Sequence, residues 1–590
     1  MPRITQLDLG GSVNQGRAPS ALGENEYTRL ENFYQFGSKL IRRGGTRRLN
    51  SAAFAETITG LLTYRPDAAV AGGLDLAPGA LTQFAKLSGS SIVAIPPQTG
   101  FAIASSTKQW TMLQYKNIWY GVRDQAGLIR SDGSYFGPAG IAAPTAAPTL
   151  ADGGAGAIPA ASFKGVYTFY NAGTNMESNP SPVSNTLALG ANKKINWTGI
   201  AVSTNAQVTS RRLYRTLPDQ SGEYFLVAEI PNNVDTTFVG DNVLAEDLGD
   251  AVSFVNGTPP PNLMFGAVWK ERLFVSDGTT VFYSEDGLVE AFDPDADIPV
   301  FPDDGHPLRA IHAFGDRLVI GKTNKIHYLV GSDPETFALL TLSDRHGCVA
   351  HHTMHSAEGS LFWLGIDNVY RSDGNTVTGI ASIKLRDVIA RFNQGTLANA
   401  SATILPQLGW YIIAFPGESA YWIYNYRTDV WTSYLIGPTV GFLGDFFDSN
   451  QNQSIYLVQG GSVYHVHDTS YARDDYGEVT GQIITGRAIT RVIDTAGGKH
   501  IISRVGILSQ RYAASIVLAI AGNDLVSDLP KTRSVSLDYA PRWKLYSLST
   551  RHAARAQTQL IVVYQGDPAI ELEGWALDVD AIDRPSMLAH

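Results

Sequence analysis

Ser360-Leu361-Phe362-Trp363-Leu364-Gly365, followed by Val369-Tyr370-Arg371-Ser372-Asp373-Gly374, spells a strand, a turn and a second strand in apolar and aromatic residues. The same pattern stands at Asn117-Ile118-Trp119-Tyr120-Gly121 and Leu128-Ile129-Arg130-Ser131-Asp132-Gly133, down to the shared Arg-Ser-Asp-Gly ending. Runs of the same kind begin at Arg272, Arg317, Gly409 and Ser454; taken at Leu273, Leu318, Leu361, Trp410 and Ile455, they are spaced by 45, 43, 49 and 45 residues. That period is too long for one hairpin and fits a four-stranded blade. A lone blade cannot bury both faces, so the repeat predicts an all-β chain built on a β-propeller of about six to eight blades packed around an axis.

Composition agrees with this reading. Of 590 residues, 17% are charged and 44% apolar, with 58 Gly and 26 Tyr, a balance that suits turn-rich β structure and more than one domain. A formal net charge of −10 argues against a nucleic-acid surface built from a broad basic patch. Cys348 is the only cysteine, which excludes an internal disulfide and predicts a buried or incidental thiol. The start Met1-Pro2-Arg3-Ile4-Thr5-Gln6 has no long apolar segment, and no run approaches the ~20 apolar residues of a bilayer span. Cytoplasmic assembly without membrane insertion is the expectation.

Shifts in composition divide the chain. Residues 1–50 are expected to form a docking segment, with a short helix over Glu24–Phe33 because acids occupy its first turn. Residues 51–140 hold the first part of the propeller, with two blades. The Ala/Pro/Gly stretch from Ala139 to Pro159 predicts an exposed linker that opens an insert over 141–260. Runs at Lys164–Tyr170, Lys194–Trp197, Arg211–Arg215, Tyr224–Ile230 and Thr236–Val239 predict a small β-sandwich of immunoglobulin or fibronectin-III type, closed by Pro259-Pro260-Pro261. The propeller resumes over 261–470, and residues 471–590 form a separate carboxy-terminal β domain.

Candidate chemistry is sparse. Lys39, Arg42, Arg43, Arg47 and Arg48 make 39–48 the one concentrated basic run, and Arg42, Arg43, Arg47 and Arg48 are the candidate assembly contacts, against the plainer reading of a solvated basic strand. His351, His352 and His355, with His346 nearby, lack the carboxylate or thiolate partner motif of a zinc site, which favours structural histidines. Asp293, Asp295, Asp297 and Asp304 imitate a calcium loop, but Ile298 replaces the required glycine and Asp304 the bidentate Glu. Neither a nucleophile elbow nor a phosphate loop is present, and the Ser-Asp-Gly copies have the wrong spacing for sialidase-type boxes. No catalytic residue, cofactor or metal is predicted.

Gly10-Gly11-Ser12-Val13-Asn14, Pro19-Ser20-Ala21-Leu22, Asn25-Glu26, Glu31-Asn32 and Gly37-Ser38-Lys39-Leu40-Ile41-Arg42-Arg43-Gly44-Gly45 resemble the start of the tail nozzle, or tail tubular protein B, group of short-tailed bacteriophages. Asn175–Pro182, Arg212–Thr216, Leu248-Gly249 and Lys270–Phe274 are similar to that group too, so the likeness spans about two thirds of the chain, in loose motifs. It implies a homohexameric, non-enzymatic virion protein of the tail, assembled in the host cytoplasm. Its partners would be the tail adaptor ring and tail fibres, and genomic DNA would pass transiently along the lumen. The carboxy-terminal domain matches no motif of the group. A carbohydrate-binding or carbohydrate-cleaving tail propeller, or a hub of a longer tail, is the alternative.

Overall fold

The computed structural model describes residues 3–581 except 56, 67–72, 79–82, 104–105, 107, 125, 417, 437–440, 448–451, 477–480, 495–499, 510–514, 523–530, 537–543, 555–556 and 566–570. Its centre is a ring of seven four-stranded antiparallel sheets, the β-propeller that the repeat predicts. Blades one and two occupy Ile58–Ala94 and Thr111–Pro138; blades three to six begin at Phe265, Leu308, His355 and Ser401. The seventh combines Phe442–Phe447, Gln453–Gln459 and Ser462–Asp468 with a strand from the far end of the chain, Gly45–Arg48. The innermost strand of the last blade packs on that of the first, so the ring is closed.

Leu273, Leu318, Leu361, Trp410 and Ile455 all lie on the second strand of successive blades, which is why their spacing is regular. These strands are buried on both faces, because each blade is sandwiched between two neighbours. Successive side chains point to opposite faces of a strand. Leu361 and Trp363 therefore pack with Val319 and Ile326 of blade four, whereas Phe362 and Leu364 pack with Tyr411 and Ile413 of blade six. Trp410 and Ile412 likewise face Leu443 and Leu457 of blade seven. Apolar residues at every position are the physical signature of a strand with no wet side.

The Ser-Asp-Gly copies are turn devices. In each of Ser131, Ser276 and Ser372 the Oγ accepts the amide of the glycine two residues on, at 3.0 Å. Each glycine has a positive φ (85°, 100° and 92°), and each Asp Oδ1 accepts a following amide.

The insert leaves the ring between blades two and three. Sheets of four strands (Gly165–Asn171, Met176–Glu177, Ser210–Arg215, Phe225–Ile230) and three (Thr149–Ile158, Lys193–Thr198, Phe238–Asp241) form a sandwich with its own core around Tyr167, Trp197 and Leu213. The predicted linker over Ala139–Pro159 is corrected here: Thr149–Ile158 is a strand paired with Lys193–Thr198. Its alanines and glycines hid a strand whose irregular register at Asp152–Ala155 marks a bulge.

A second correction concerns residues 1–50, which are not an independent docking segment. Tyr27–Glu31 is a strand, not a helix, inserted between the outer strand of blade six and Thr485–Thr490 of the carboxy-terminal domain. Its short polar run held no helical periodicity strong enough to resist two available sheet edges. Arg3–Gln6 and Lys39–Arg42 both pair with Glu571–Ala581. The carboxy-terminal domain is thus two sheets completed by the amino terminus and packed around Leu30, Phe33, Tyr564 and Trp575. No helix among the described residues is long and apolar enough to cross a membrane.

Candidate functional site

The basic run builds a lock where blades six and seven meet the carboxy-terminal domain. Arg43 is wholly buried. Its Nε donates to Asn32 Oδ1 (2.9 Å), Nη1 to Asp474 Oδ1 (2.8 Å) and Gly44 O (3.0 Å), and Nη2 to Asp474 Oδ2 (2.6 Å) and Leu435 O (2.8 Å). All five N–H groups are thereby used, in the bidentate geometry that guanidinium allows. Burial works against the charge, but Asp474 outweighs it and raises the Arg43 pKa. Asn32, at φ 58°, accepts the Leu435 amide and donates to Thr485 O. One arginine and one asparagine thus join the propeller's closing strand, its sixth blade and the carboxy-terminal domain.

Backbone space around the lock is minimal. A Cβ on Gly45 would lie 2.1 Å from Arg473 O, and one on Gly11 1.6 Å from Asn25 O, so side chains are excluded at both positions. Arg42, 2% exposed, donates to Ala472 O. Arg47 is half-exposed beside Asp468 and Tyr471, and Arg48 pairs through its backbone with Tyr464. Of the four candidate assembly contacts, Arg42 and Arg43 are therefore interior residues, unavailable on the surface of a single chain. The reason is long-range: their partners arrive some 430 residues later in the sequence.

The axis of the ring holds a second feature. A channel of about 350 Å³ is lined by the innermost strands and by His312, His351, His352, His355 and Asp445. Phe265 of blade three stacks on His351 (5.1 Å), and His352 meets Phe442 of blade seven (5.0 Å). These contacts tie the segment between blades four and five to blades that are not its neighbours. Burial, and then the neighbouring imidazoles, push His312 and His352 down to about 3 and lower His351 as well, whereas burial alone lowers His355, against Asp445. Sequence spacing found three of these histidines; His312 comes from another blade and only the fold brings it in. His346 is elsewhere, against Tyr370. Asp304 is held by Lys322 (2.6 Å) and Lys325 (3.1 Å), which occupy the carboxylate a calcium loop would need. Cys348 is buried, its Sγ donating to Ala350 O, and burial pushes its pKa up to about 12.

A third feature escaped the sequence altogether. A cleft of about 610 Å³ separates the insert from blades one to three, walled by Tyr64, Tyr115 and Tyr135 on the propeller side and by 173–176 on the insert. At its floor, Arg130 Nε donates to Glu290 Oε1 (2.9 Å), which also accepts from Tyr120 OH (2.9 Å), and Glu290 Oε2 accepts the Gly140 amide (2.7 Å).

No protein-family model matches the chain, and no curated protein matches it. Among solved structures, the chain is similar to the RRP9 WD40 repeats (10% identity, TM-score 0.32), covering 72% of this chain and 99% of that one. It is also similar to the WD40 domain of Toxoplasma gondii coronin (8% identity, TM-score 0.31, 72% and 86% covered) and to the Pan2 WD40 domain of Neurospora crassa (9% identity, TM-score 0.26, 71% and 95% covered). At such values the likeness is one of ring architecture, which the strand pairing above establishes by itself.

Proposed function

We propose that this chain is a structural protein of a short-tailed phage tail, a nozzle subunit that assembles as a homohexamer around the path of the ejected genome. The observation that carries the reading is the overlap between the motif resemblance and the lock. Gly11, Asn32, Arg43 and Gly45 belong to the segments that resemble the nozzle group, and here they fasten the propeller shut and couple it to the carboxy-terminal domain. Residues engaged in holding three parts of a fold together suit a wall element that must withstand a passing polymer.

The axial channel supports a specific arrangement. It measures about 350 Å³ and ring contacts within it join non-neighbouring blades, so the bore of one propeller cannot pass a duplex. The conduit would instead be the space enclosed by the outer surfaces of several subunits, joined by heterologous contacts that close into a ring. A net charge of −10 suits such a lumen, since a surface of like sign to DNA resists sticking. Antibody raised against the purified chain, applied to particles of the virus that encodes it, should decorate the tail, and averaged particle images should place six copies there. Decoration of the capsid alone, or none, would remove the proposal.

A further inference from the structure

The structure assigns a ligand site to the cleft between the insert and blades one to three: we infer that it binds a short neutral oligosaccharide. At about 610 Å³ it lies within the ~300–1,000 Å³ range of small-molecule sites, and it sits at a junction between domains, where such sites concentrate.

Its chemistry narrows the class. Arg130 is 3% exposed and lines the cleft; its Nε is taken by Glu290 and its Nη1 reaches Tyr135 OH at 3.4 Å, while its Nη2 makes no hydrogen bond among the described residues. A nearly buried guanidinium whose Nη2 keeps both N–H groups unspent calls for an acceptor from outside. Elsewhere in the lining, and among the described residues, the Asn117 side-chain amide makes no hydrogen bond, and Asn175 uses only Oδ1, accepting from Tyr170 OH. Asp132 receives amides on Oδ1 alone and keeps Oδ2 for a donor.

The lining charges cancel, Lys116 and Arg130 against Asp132 and Glu290, so nothing favours an anion or a cation. Tyr115 and Tyr135 are only half-buried and line the space; Lys116 Nζ stands 4.8 Å from the Tyr115 ring centroid, and the Tyr115 hydroxyl donates to Glu271 Oε2. Tyrosine faces beside planar amide, carboxylate and guanidinium groups match a pyranose, which offers an apolar C–H face and an edge of hydroxyls that both donate and accept.

The inference does not rest on the tail reading, and tail decoration decides that reading separately. The test is an array of neutral oligosaccharides, from two to four hexoses as the cleft volume admits, beside sialylated and uronate-containing ones, followed by saturation-transfer NMR. Free sugar and the same sugar within long bacterial surface polysaccharide form separate arms, which tell a terminal from an internal epitope.

Neutral oligosaccharides should be retained, and Tyr115→Ala and Asn117→Ala should each weaken binding about tenfold, Asn117→Ala without moving the thermal midpoint. Asn117 is exposed, whereas Tyr115 also packs on the core between blades two and three and donates to Glu271, so the Asn117 variant separates binding from folding. Retention of anionic glycans only, binding indifferent to both variants, or retention of no glycan would each overturn the inference. The last result is the one expected if a segment of another protein fills the cleft.

Discussion

Arg43 illustrates how one residue changes meaning between sequence and structure. In the sequence it belongs to a dense basic run, which predicts a surface that meets a partner; replacing Arg42, Arg43, Arg47 and Arg48 with Ser would then leave the fold intact. In the structure Arg43 is paired with Asp474 in the interior. Removing one member of a buried pair strands the other's charge, so Arg43→Met is expected to cost about 3–5 kcal/mol, read as a lower urea midpoint. Lysine will not rescue it, because a single ammonium cannot serve acceptors on Asn32, Leu435 and Asp474 together. Arg48→Ser should shift the midpoint by less than about 0.5 kcal/mol. The basic run was legible as unusual; its burial was not, since no local pattern reveals a partner more than 400 positions away.

The channel histidines carry a pH dependence whose sign follows from their neutral state. His312 and His352 bind protons near pH 3 in the folded chain and near 6.5 when free, so below 6.5 the unfolded chain takes up protons first. Their stabilising contribution is complete above pH 6.5 and is lost as pH falls toward 3, by at most about 1.4 kcal/mol per unit for each histidine. Asp445 is the carboxylate that lines the channel, and it favours protonation of His355. His352→Leu should therefore flatten the acid limb of a plot of thermal midpoint against pH; an unchanged slope would mean that channel water already solvates the ring.

At the scale of elements, blades were the most legible part of the chain. Their strands touch neighbours on both faces, which forces apolar residues into every position, and their turns need the Ser-Asp-Gly chemistry that the repeat displays. Trp363 is fully buried between blades four and five, and Trp363→Ala should cost about 3–5 kcal/mol in chemical denaturation. The strands of the insert near Tyr167, Trp197 and Leu213 were equally readable for the same reason. Tyr27–Glu31 and Thr149–Ile158 were not, because edge pairing, rather than side-chain pattern, makes them strands. Cutting the chain before Leu49 separates these cases experimentally. A detachable docking arm would leave a cooperative protein behind. The pairing of Gly45–Arg48 with blade seven predicts instead that the truncated chain loses its single sharp melting transition.

For the whole molecule, the sequence disclosed a ring, a guest domain and an appendage, but not that the appendage is woven from both ends of the chain. It also gave no sign of the cleft, whose walls come from three blades and the insert. The guest domain is the separable piece. Its core is its own, with Ile141 and Ala291 joining it at the base, and the chain enters and leaves at one point, since a Cβ on Gly140 would lie 2.7 Å from Pro259 Cδ. Deleting 145–258 with a short Gly/Ser bridge should leave the remaining chain soluble, with its cooperative melting intact. An unfolded product would mean that the insert props the ring open.

Closure of the seventh blade by Gly45–Arg48 also sets a schedule for the chain's birth. Arg48 and Asp468 are 420 positions apart, and at roughly 5–20 residues per second a ribosome takes about 20–85 s to travel between them. Throughout that interval the leading segment has emerged but its sheet partner does not yet exist. The first residues made are thus among the last to find their places, and nascent propellers on adjacent ribosomes, each with an unfilled edge, are exposed to exchanging those segments until translation passes blade seven.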